Sequence, residues 1–244
     1  MEERFLIAKK IIKEVGEFLK SERKGENVLK NLRFDIKIKQ DIESENLILK
    51  RIEERFPYDG WVSEEKGKKE SSSGFLWIID PLDGTVNYSK GIPHCSISIG
   101  CRYKGEKAFG FVYDFLKEEL FWAKRGKGAF LNGKRIKVSR VRNLEDAIIG
   151  FGLMKGKEEI KKGMEILSLL AEKVKKIRMM GSASLDLCYV GCGRIDGFVE
   201  LGLNEWDVEA GSLIVEEAGG RFKMEDFEGI SKVVATNQFL IEKL

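Results

Sequence analysis

Histidine is almost missing from this chain of 244 residues. The single one, His94, excludes any zinc site built on two imidazoles and leaves a His-dependent triad only one candidate. Cysteine is sparse too: Cys95, Cys101, Cys188 and Cys192 contain no C-x-x-C pair, so neither a zinc ribbon nor a thioredoxin-like motif is present. Thiols without a disulfide framework fit a reducing cytosol, and a cytoplasmic location is expected. Long apolar runs are absent. Nothing approaches the roughly 18 residues of a membrane span, and the opening MEERFLIAKKIIKEV reads as a charged amphipathic helix rather than a signal peptide. Net charge is small as well, with 43 Lys and Arg against 40 Asp and Glu. That near-balance argues against a dedicated nucleic-acid binder, which needs a concentrated basic face. What remains is chemistry by carboxylates and hydroxyls.

Hydrophobic residues make up 43% and aromatics 10%, enough for a sizeable core and too much for a disordered chain. Phe5, Ala8, Ile11, Ile12, Val15, Phe18 and Leu19 recur at steps of three and four, which predicts a helix over 2–22. A short strand ending near Asp41 and a helix from about 42 to 56 follow, the latter stopping before Pro57. Lys66 to Gly74 is charged and Ser-rich and reads as an exposed loop. Phe75–Ile79 is a continuous apolar run, as in a buried strand. Strands over 96–103, 107–113 and 119–123 come next, with Asn132-Gly133 marking a hairpin turn.

Beyond residue 138 strands and helices alternate: strands at 147–151, 176–180, 195–201 and 232–235, helices at 158–174, 184–192, 207–218 and 237–243. The first half reads as α+β and the second as α/β. No Pro/Ser-rich linker separates them, so residues 1–137 and 138–244 are expected to pack as one unit.

The chemistry concentrates in Trp77-Ile-Ile-Asp80-Pro-Leu-Asp83-Gly-Thr85. A buried strand delivers Asp80 at its end, and Pro81 is expected to turn the chain so that Asp83 returns to the same point. Two carboxylates held together repel unless a cation lies between them, and an all-oxygen set on a rigid turn suits magnesium. A plain strand-ending turn reads the same residues without a metal. Gly84 lets the backbone approach a ligand, and Thr85 opens a short helix whose free N–H groups favour an anion. Carboxylates for metal beside donors for an anion imply a phosphate. A second acidic segment, Asn204-Glu-Trp206-Asp207-Val-Glu209-Ala-Gly211, puts Asp207 at a helix N-terminus, where a simple cap is the competing reading. Glu64-Glu65 forms a third acidic pair.

Together these segments resemble the inositol monophosphatase family of magnesium-dependent, lithium-sensitive phosphatases. Asp80-Pro-Leu-Asp83-Gly84-Thr85 matches the first family signature, Trp206-Asp207-Val-Glu-Ala-Gly matches the second, and Ser63-Glu64-Glu65 lies about 15 residues before the first. The resemblance implies a layered αβαβα sandwich, a homodimer and two or three Mg2+ ions. Glu64, Asp80 and the Leu82 carbonyl would hold the first ion, Asp80, Asp83 and Asp207 the second, and Glu64 a weaker third through water. Asp41 would act with Thr85 on the attacking water, although where the family usually shows V-T-x-x-D this chain reads Ile36-Lys-Ile-Lys-Gln40-Asp41. Substrate contacts would come from Asp83, Gly84, Thr85, the Gly181-Ser182-Ala183 turn and Glu200. Lys30 and Arg178 are further candidates, Lys30 on a loop near the metals and Arg178 for a second anionic group or a partner subunit.

The function implied is hydrolysis of a small sugar or polyol phosphate, inositol 1-phosphate first. Fructose 1,6-bisphosphate is the rival substrate. The rival of another class is a regulatory protein on the same scaffold that touches RNA or polymerase. Such a protein would be expected to carry a broken ligand set, whereas all four carboxylates are present. His94, Cys188 and Cys192 read as structural, and Arg125-Gly-Lys-Gly128 as a hairpin rather than a phosphate loop.

Overall fold

The computed structural model describes residues 1–23, 28–32, 35–153 and 156–244. Helix α1, Glu2–Glu22, buries the apolar stripe read from its sequence, including Phe5, Ile12, Val15 and Leu19. Strands β1, Val28–Leu32, and β2, Asp35–Ile38, pair antiparallel, and α2, Lys39–Arg55, follows at once. This helix begins before the expected residue 42. Asp41 therefore lies inside its first turn, where its carboxylate accepts the Ile38 N–H at 2.8 Å and caps the helix.

The larger sheet is built from β3, Gly60–Ser63; β4, Gly67–Lys69; β5, Phe75–Asp83; β6, Ser96–Tyr103; β7, Glu106–Asp114; β8, Glu119–Lys124; β9, Gly128–Leu131; and β10, Lys134–Arg135. A short helix, α3, Thr85–Ser89, leaves the end of β5. The strand order is β10-β9-β8-β7-β6-β5-β3-β4, an antiparallel meander except where β3 runs parallel to β5. The segment expected to be a loop at 66–74 contributes β4, a charged edge strand with no apolar alternation to reveal it.

The second sheet takes β11, Ile148–Gly152; β12, Lys176–Arg178; β13, Gly197–Leu201; β14, Arg221–Phe227; and β15, Ile230–Thr236, in the order β12-β11-β13-β15-β14. Helices α4, Lys157–Ala171, α5, Ala183–Gly191, and α6, Glu205–Glu217, connect them. One element here is unexpected and one expectation fails. Strand β14 has no counterpart in the sequence reading, because most of its side chains are exposed and no apolar period marks it. The helix expected over 237–243 is only a 3-10 turn at Ile241–Lys243; the buried Asn237 amide instead bonds Ser139 Oγ at 3.0 Å and the Val141 carbonyl at 2.9 Å.

Four apolar clusters stack these elements in layers. Helices α1 and α2 cover one face of the larger sheet through Ile12, Ile48, Trp77, Phe109 and Phe111. Helices α5 and α6 cover the other through Leu185, Val112, Phe121, Leu213 and Ile214. Leu187, Val215, Phe198 and Val233 join the same two helices to the second sheet, and α4 closes its far side through Leu170, Phe151, Val199 and Val234. The result is the αβαβα sandwich. Close approach of α6 to the larger sheet depends on Gly110, where an added Cβ would stand 2.7 Å from the Ala210 Cα. Arg102 of β6 then clamps the helix, bonding Glu209 at 2.5 and 2.9 Å and Glu205 at 3.1 Å.

Candidate active site

Strand β5 passes Pro81 and continues to Asp83. Asp80 pairs with Ser98 and Asp83 with Ser96, so three steps along β5 match two along β6. Residues three apart on a regular strand point to opposite faces; one extra residue cancels the alternation, and Pro81, lacking an N–H, fits where the ladder breaks. A β-bulge does what the sequence reading assigned to a turn.

Asp80 is only 2% exposed, and its Oδ1 accepts the Leu82 N–H at 3.0 Å. Burial pushes its pKa well above the usual carboxylate range, and the charges of Glu64, Asp83 and Asp207 push it further. These four carboxylates therefore share one neighbourhood. Asp83 is anchored by α5: its Oδ2 accepts Ser182 Oγ at 2.7 Å, the Ser184 N–H at 2.8 Å and Ser184 Oγ at 2.6 Å. Asp207 is the third residue of α6 and accepts the Asn204 N–H at 2.6 Å. The capping position belongs to Asn204, not to Asp207.

Gly84 has φ +86°, and a Cβ there would stand 3.0 Å from the His94 carbonyl and 3.1 Å from that of Gly181, so only glycine fits. Thr85 opens α3. Its hydroxyl lies 3.3 Å from Asp41 Oδ1 and 3.0 Å from the Leu82 carbonyl oxygen. With one proton it donates to one of them at a time and presents its lone pairs outward.

The two members of the Glu64-Glu65 pair part company. Glu65 forms an ion pair with Lys37, while Glu64 acts on Asp80. Both stand on a turn held from beneath by Glu45, a fully buried acid whose Oε1 accepts the N–H groups of Glu65 at 2.9 Å and Lys66 at 3.2 Å.

The remaining candidates are more scattered. Ser182 and Ala183 are buried at the start of α5. Glu200 stands on β13 opposite Gly152, and its carboxylate occupies the space a Cβ at that glycine would need. Arg178 is exposed on the edge strand β12, its Nη1 on the Ile177 carbonyl at 2.9 Å. Lys30 lies on β1 opposite Lys37, and its side chain is outside the described residues. His94 is structural in this arrangement, with Nε2 3.3 Å from the buried Asp186.

Sequence reasoning missed three residues that shape the site. Ser184 adds two of the three donors on Asp83; the signal was there, since Ser182 and Ser184 flank a helix start. Asn87 staples α3 to the Gly181 turn through the carbonyls of His94 and Met180, each at 2.8 Å. Glu45 was read only as part of a helix.

A buried acid whose charge three other carboxylates disfavour would be relieved by a cation, and hard oxygen ligands would fit Mg2+. Among the described residues no group of three or more acidic, His or Cys side chains is arranged as a metal-binding cluster. Asp83 and Asp207 are each tied to backbone or serine donors instead.

The sequence profile of the inositol monophosphatase family matches residues 1–243. The chain belongs to that family. Among curated relatives of this inositol monophosphatase-family chain, the Nus factor SuhB of Pseudomonas aeruginosa is 42% identical over 195 residues, covering 78% of this chain and 71% of the relative. The Nus factor SuhB of Escherichia coli K12 is 39% identical over 226 residues, 92% of this chain and 80% of the relative. Among solved structures, the extragenic suppressor protein suhB of Bartonella henselae superposes with a TM-score of 0.91 at 32% identity, covering 98% of this chain and 95% of that one. The IMPase of Thermotoga maritima gives 0.89 at 31% identity, covering 99% and 94%. The layered architecture is thus the family's, and the fold is of the phosphatase type. Among the described residues no helix is long and apolar enough to cross a membrane.

Proposed function

We propose that the chain is a magnesium-dependent phosphatase that hydrolyses a small sugar or polyol phosphate monoester, inositol 1-phosphate foremost. The observation that carries this reading is the buried Asp80 carboxylate, its charged form disfavoured by the charges of Glu64, Asp83 and Asp207 and its backbone neighbour Leu82 shared with the Thr85–Asp41 pair. Glu64, Asp80 and the Leu82 carbonyl would hold one Mg2+, Asp80, Asp83 and Asp207 a second, and Glu64 a weaker third through water. Bound magnesium lowers the pKa of water and offsets charge on the leaving oxygen.

The chain's own groups do the rest. The Thr85 oxygen accepts a hydrogen bond from the attacking water, and its hydroxyl proton points to Asp41. As water attacks phosphorus, its proton passes to Thr85 while the hydroxyl proton passes to Asp41; the ester P–O bond breaks opposite, the polyol leaves as an alkoxide that takes a proton from solvent, and no phosphoenzyme forms. Gly84 and the first N–H groups of α3 receive the phosphate. The Ser182–Ala183 turn and Glu200 meet the polyol, Glu200 as a hydroxyl acceptor that rejects apolar esters. Lys30 and Arg178 are assigned to the rim of the site, and the functional unit is a homodimer in which lithium competes with magnesium.

Phosphate release from inositol 1-phosphate, fructose 1,6-bisphosphate, 2-glycerophosphate and adenosine 3′,5′-bisphosphate tests this directly. Release is expected with magnesium, abolished by chelator and by Asp80→Asn, with inositol 1-phosphate fastest. Fastest turnover of fructose 1,6-bisphosphate would move the substrate assignment. The curated relatives carry the name Nus factor, which favours a regulatory role as the second reading. No release from any ester by folded protein would transfer the assignment to it.

A further inference from the structure

A separate cavity lies at the other end of α6, and what it could hold goes beyond the phosphatase reading. Between Leu120 and Leu144 the chain carries eight Lys or Arg and no Asp or Glu, so the remainder of this nearly neutral protein is net negative. After β10 the segment crosses the end of α6, where the Val138 N–H bonds the Ala218 carbonyl at 3.2 Å, and lines a cavity of about 540 Å³ with Arg135, Lys137, Arg140 and Arg142. Phe239 lines it too, with the Arg142 guanidinium 4.6 Å from its ring centre. That volume falls in the range of small-molecule sites, roughly 300–1,000 Å³.

The charge in this cavity is largely uncompensated, four cations facing one acid among the lining residues. That acid, Glu217, is held by backbone, its two oxygens accepting the N–H groups of Gly126 and Gly128 at 2.7 Å each. Lys137 and Arg140 are exposed and have no acidic partner among the described residues. Several other surface cations are matched by acids, as in Lys20–Glu118, Arg55–Glu3 and Arg194–Glu119. A helix C-terminus favours a nearby cation by about 0.3–1 kcal/mol, which accounts for one basic residue at the end of α6 and not for four lining the cavity. The cavity closes around Ala218 and Gly219, about 16 Å along the helix axis from Asp207, so a ligand there does not occupy the carboxylate site.

We propose that this cavity binds a small ligand bearing two or more phosphate groups, held by Lys137, Arg140 and Arg142 with Arg135 at its edge. Linked phosphates match several fixed cations better than a single one does, and a concave site of this size suits a compact oligophosphate rather than a long chain.

Titration calorimetry with tripolyphosphate on the intact protein, at low salt and with chelator present to silence the carboxylate site, tests the proposal. One saturable site per chain is expected. It should weaken at least tenfold in Lys137→Glu/Arg140→Glu, about 1.4 kcal/mol, and persist in Asp80→Asn. Lys137→Gln/Arg140→Gln serves if the reversed pair melts early, with the same loss expected. Undiminished binding by both pairs, no saturable binding by wild type, or binding of a single-stranded oligonucleotide without tripolyphosphate would each overturn it.

Discussion

Asp41 and Asp207 hold the same station on two different helices. Each is the third residue of its helix and takes the N–H three residues before it, from Ile38 at 2.8 Å and from Asn204 at 2.6 Å. Helices α2 and α6 come from opposite sides of the larger sheet, yet each delivers a carboxylate whose position is fixed by its own helix start. An acid at this position is stabilised locally, so each helix start orients one of its carboxylate's oxygens.

The other Asp41 oxygen meets Thr85, which makes Asp41 and Thr85 a unit under the proposed mechanism. Asp41→Asn keeps an oxygen for the Ile38 N–H and loses the proton acceptor. Its kcat should fall about 100-fold or more, with KM and thermal midpoint nearly unchanged. Thr85→Val should fall comparably, and the double variant should be scarcely worse than either single one. Additive losses in steady-state assays would separate the two residues.

At Asp80 the charge that serves the site works against the fold. Three carboxylates, Glu64, Asp83 and Asp207, act against the charge of the buried Asp80, and replacing that acid by a neutral amide of the same shape relieves the repulsion. Without metal, Asp80→Asn should therefore melt higher than wild type. Magnesium should raise the wild-type midpoint and leave that of the variant where it is, because ligands bound only to the folded state stabilise it by mass action. Calorimetry with and without chelator reads both shifts, and a variant that melts lower than wild type in chelator would contradict the repulsion argument.

The sequence displayed its carboxylates more openly than the geometry that joins them. Asp80, Asp83 and Asp207 stand in long contiguous motifs, and the α1 stripe and the β6–β8 meander follow from simple periodicity. The bulge at Pro81 was invisible because register depends on the partner strand β6, not on β5 alone. Strand β14 was invisible because an exposed edge carries no apolar pattern. Ser184 and Asn87 act through backbone and carboxylate groups distant in sequence, and only the folded chain brings these together.

Asp59 offers a prediction about stability rather than catalysis. Burial alone would raise its pKa, but bonds from Arg4, Ser73 and Trp77 hold it below the usual carboxylate value. The donors are Arg4 Nε at 2.7 Å and Nη2 at 2.8 Å, Ser73 Oγ at 2.5 Å and Trp77 Nε1 at 2.9 Å. Removing the acid strands the Arg4 guanidinium between Phe56 and Phe75, so Asp59→Ala should cost about 3–5 kcal/mol. A depressed folded pKa stabilises above the unfolded value, near 3.9, and that gain is lost as pH falls through the folded value. Urea unfolding of wild type and Asp59→Asn from neutral to acid pH should show the gap between them narrowing below about pH 4.

Gly110 connects the packing of the sheet to the placement of Asp207. A methyl group there would stand 2.7 Å from Ala210 Cα and 3.0 Å from its carbonyl oxygen, so backbone rather than a pliable side chain must yield. Helix α6 would have to lift from β7 while Arg102 still grips Glu205 and Glu209 at its start. Overpacking of this kind costs about 1–3 kcal/mol. The displacement would also carry Asp207 away from Asp80, so Gly110→Ala should weaken activation by magnesium while leaving Asp41 and Thr85 in place. A metal titration of activity distinguishes this from general damage: the half-activating magnesium concentration should rise severalfold, with kcat at saturating metal largely retained. Loss of kcat with an unchanged magnesium requirement would mean that α6 absorbs the methyl group without moving its N-terminus.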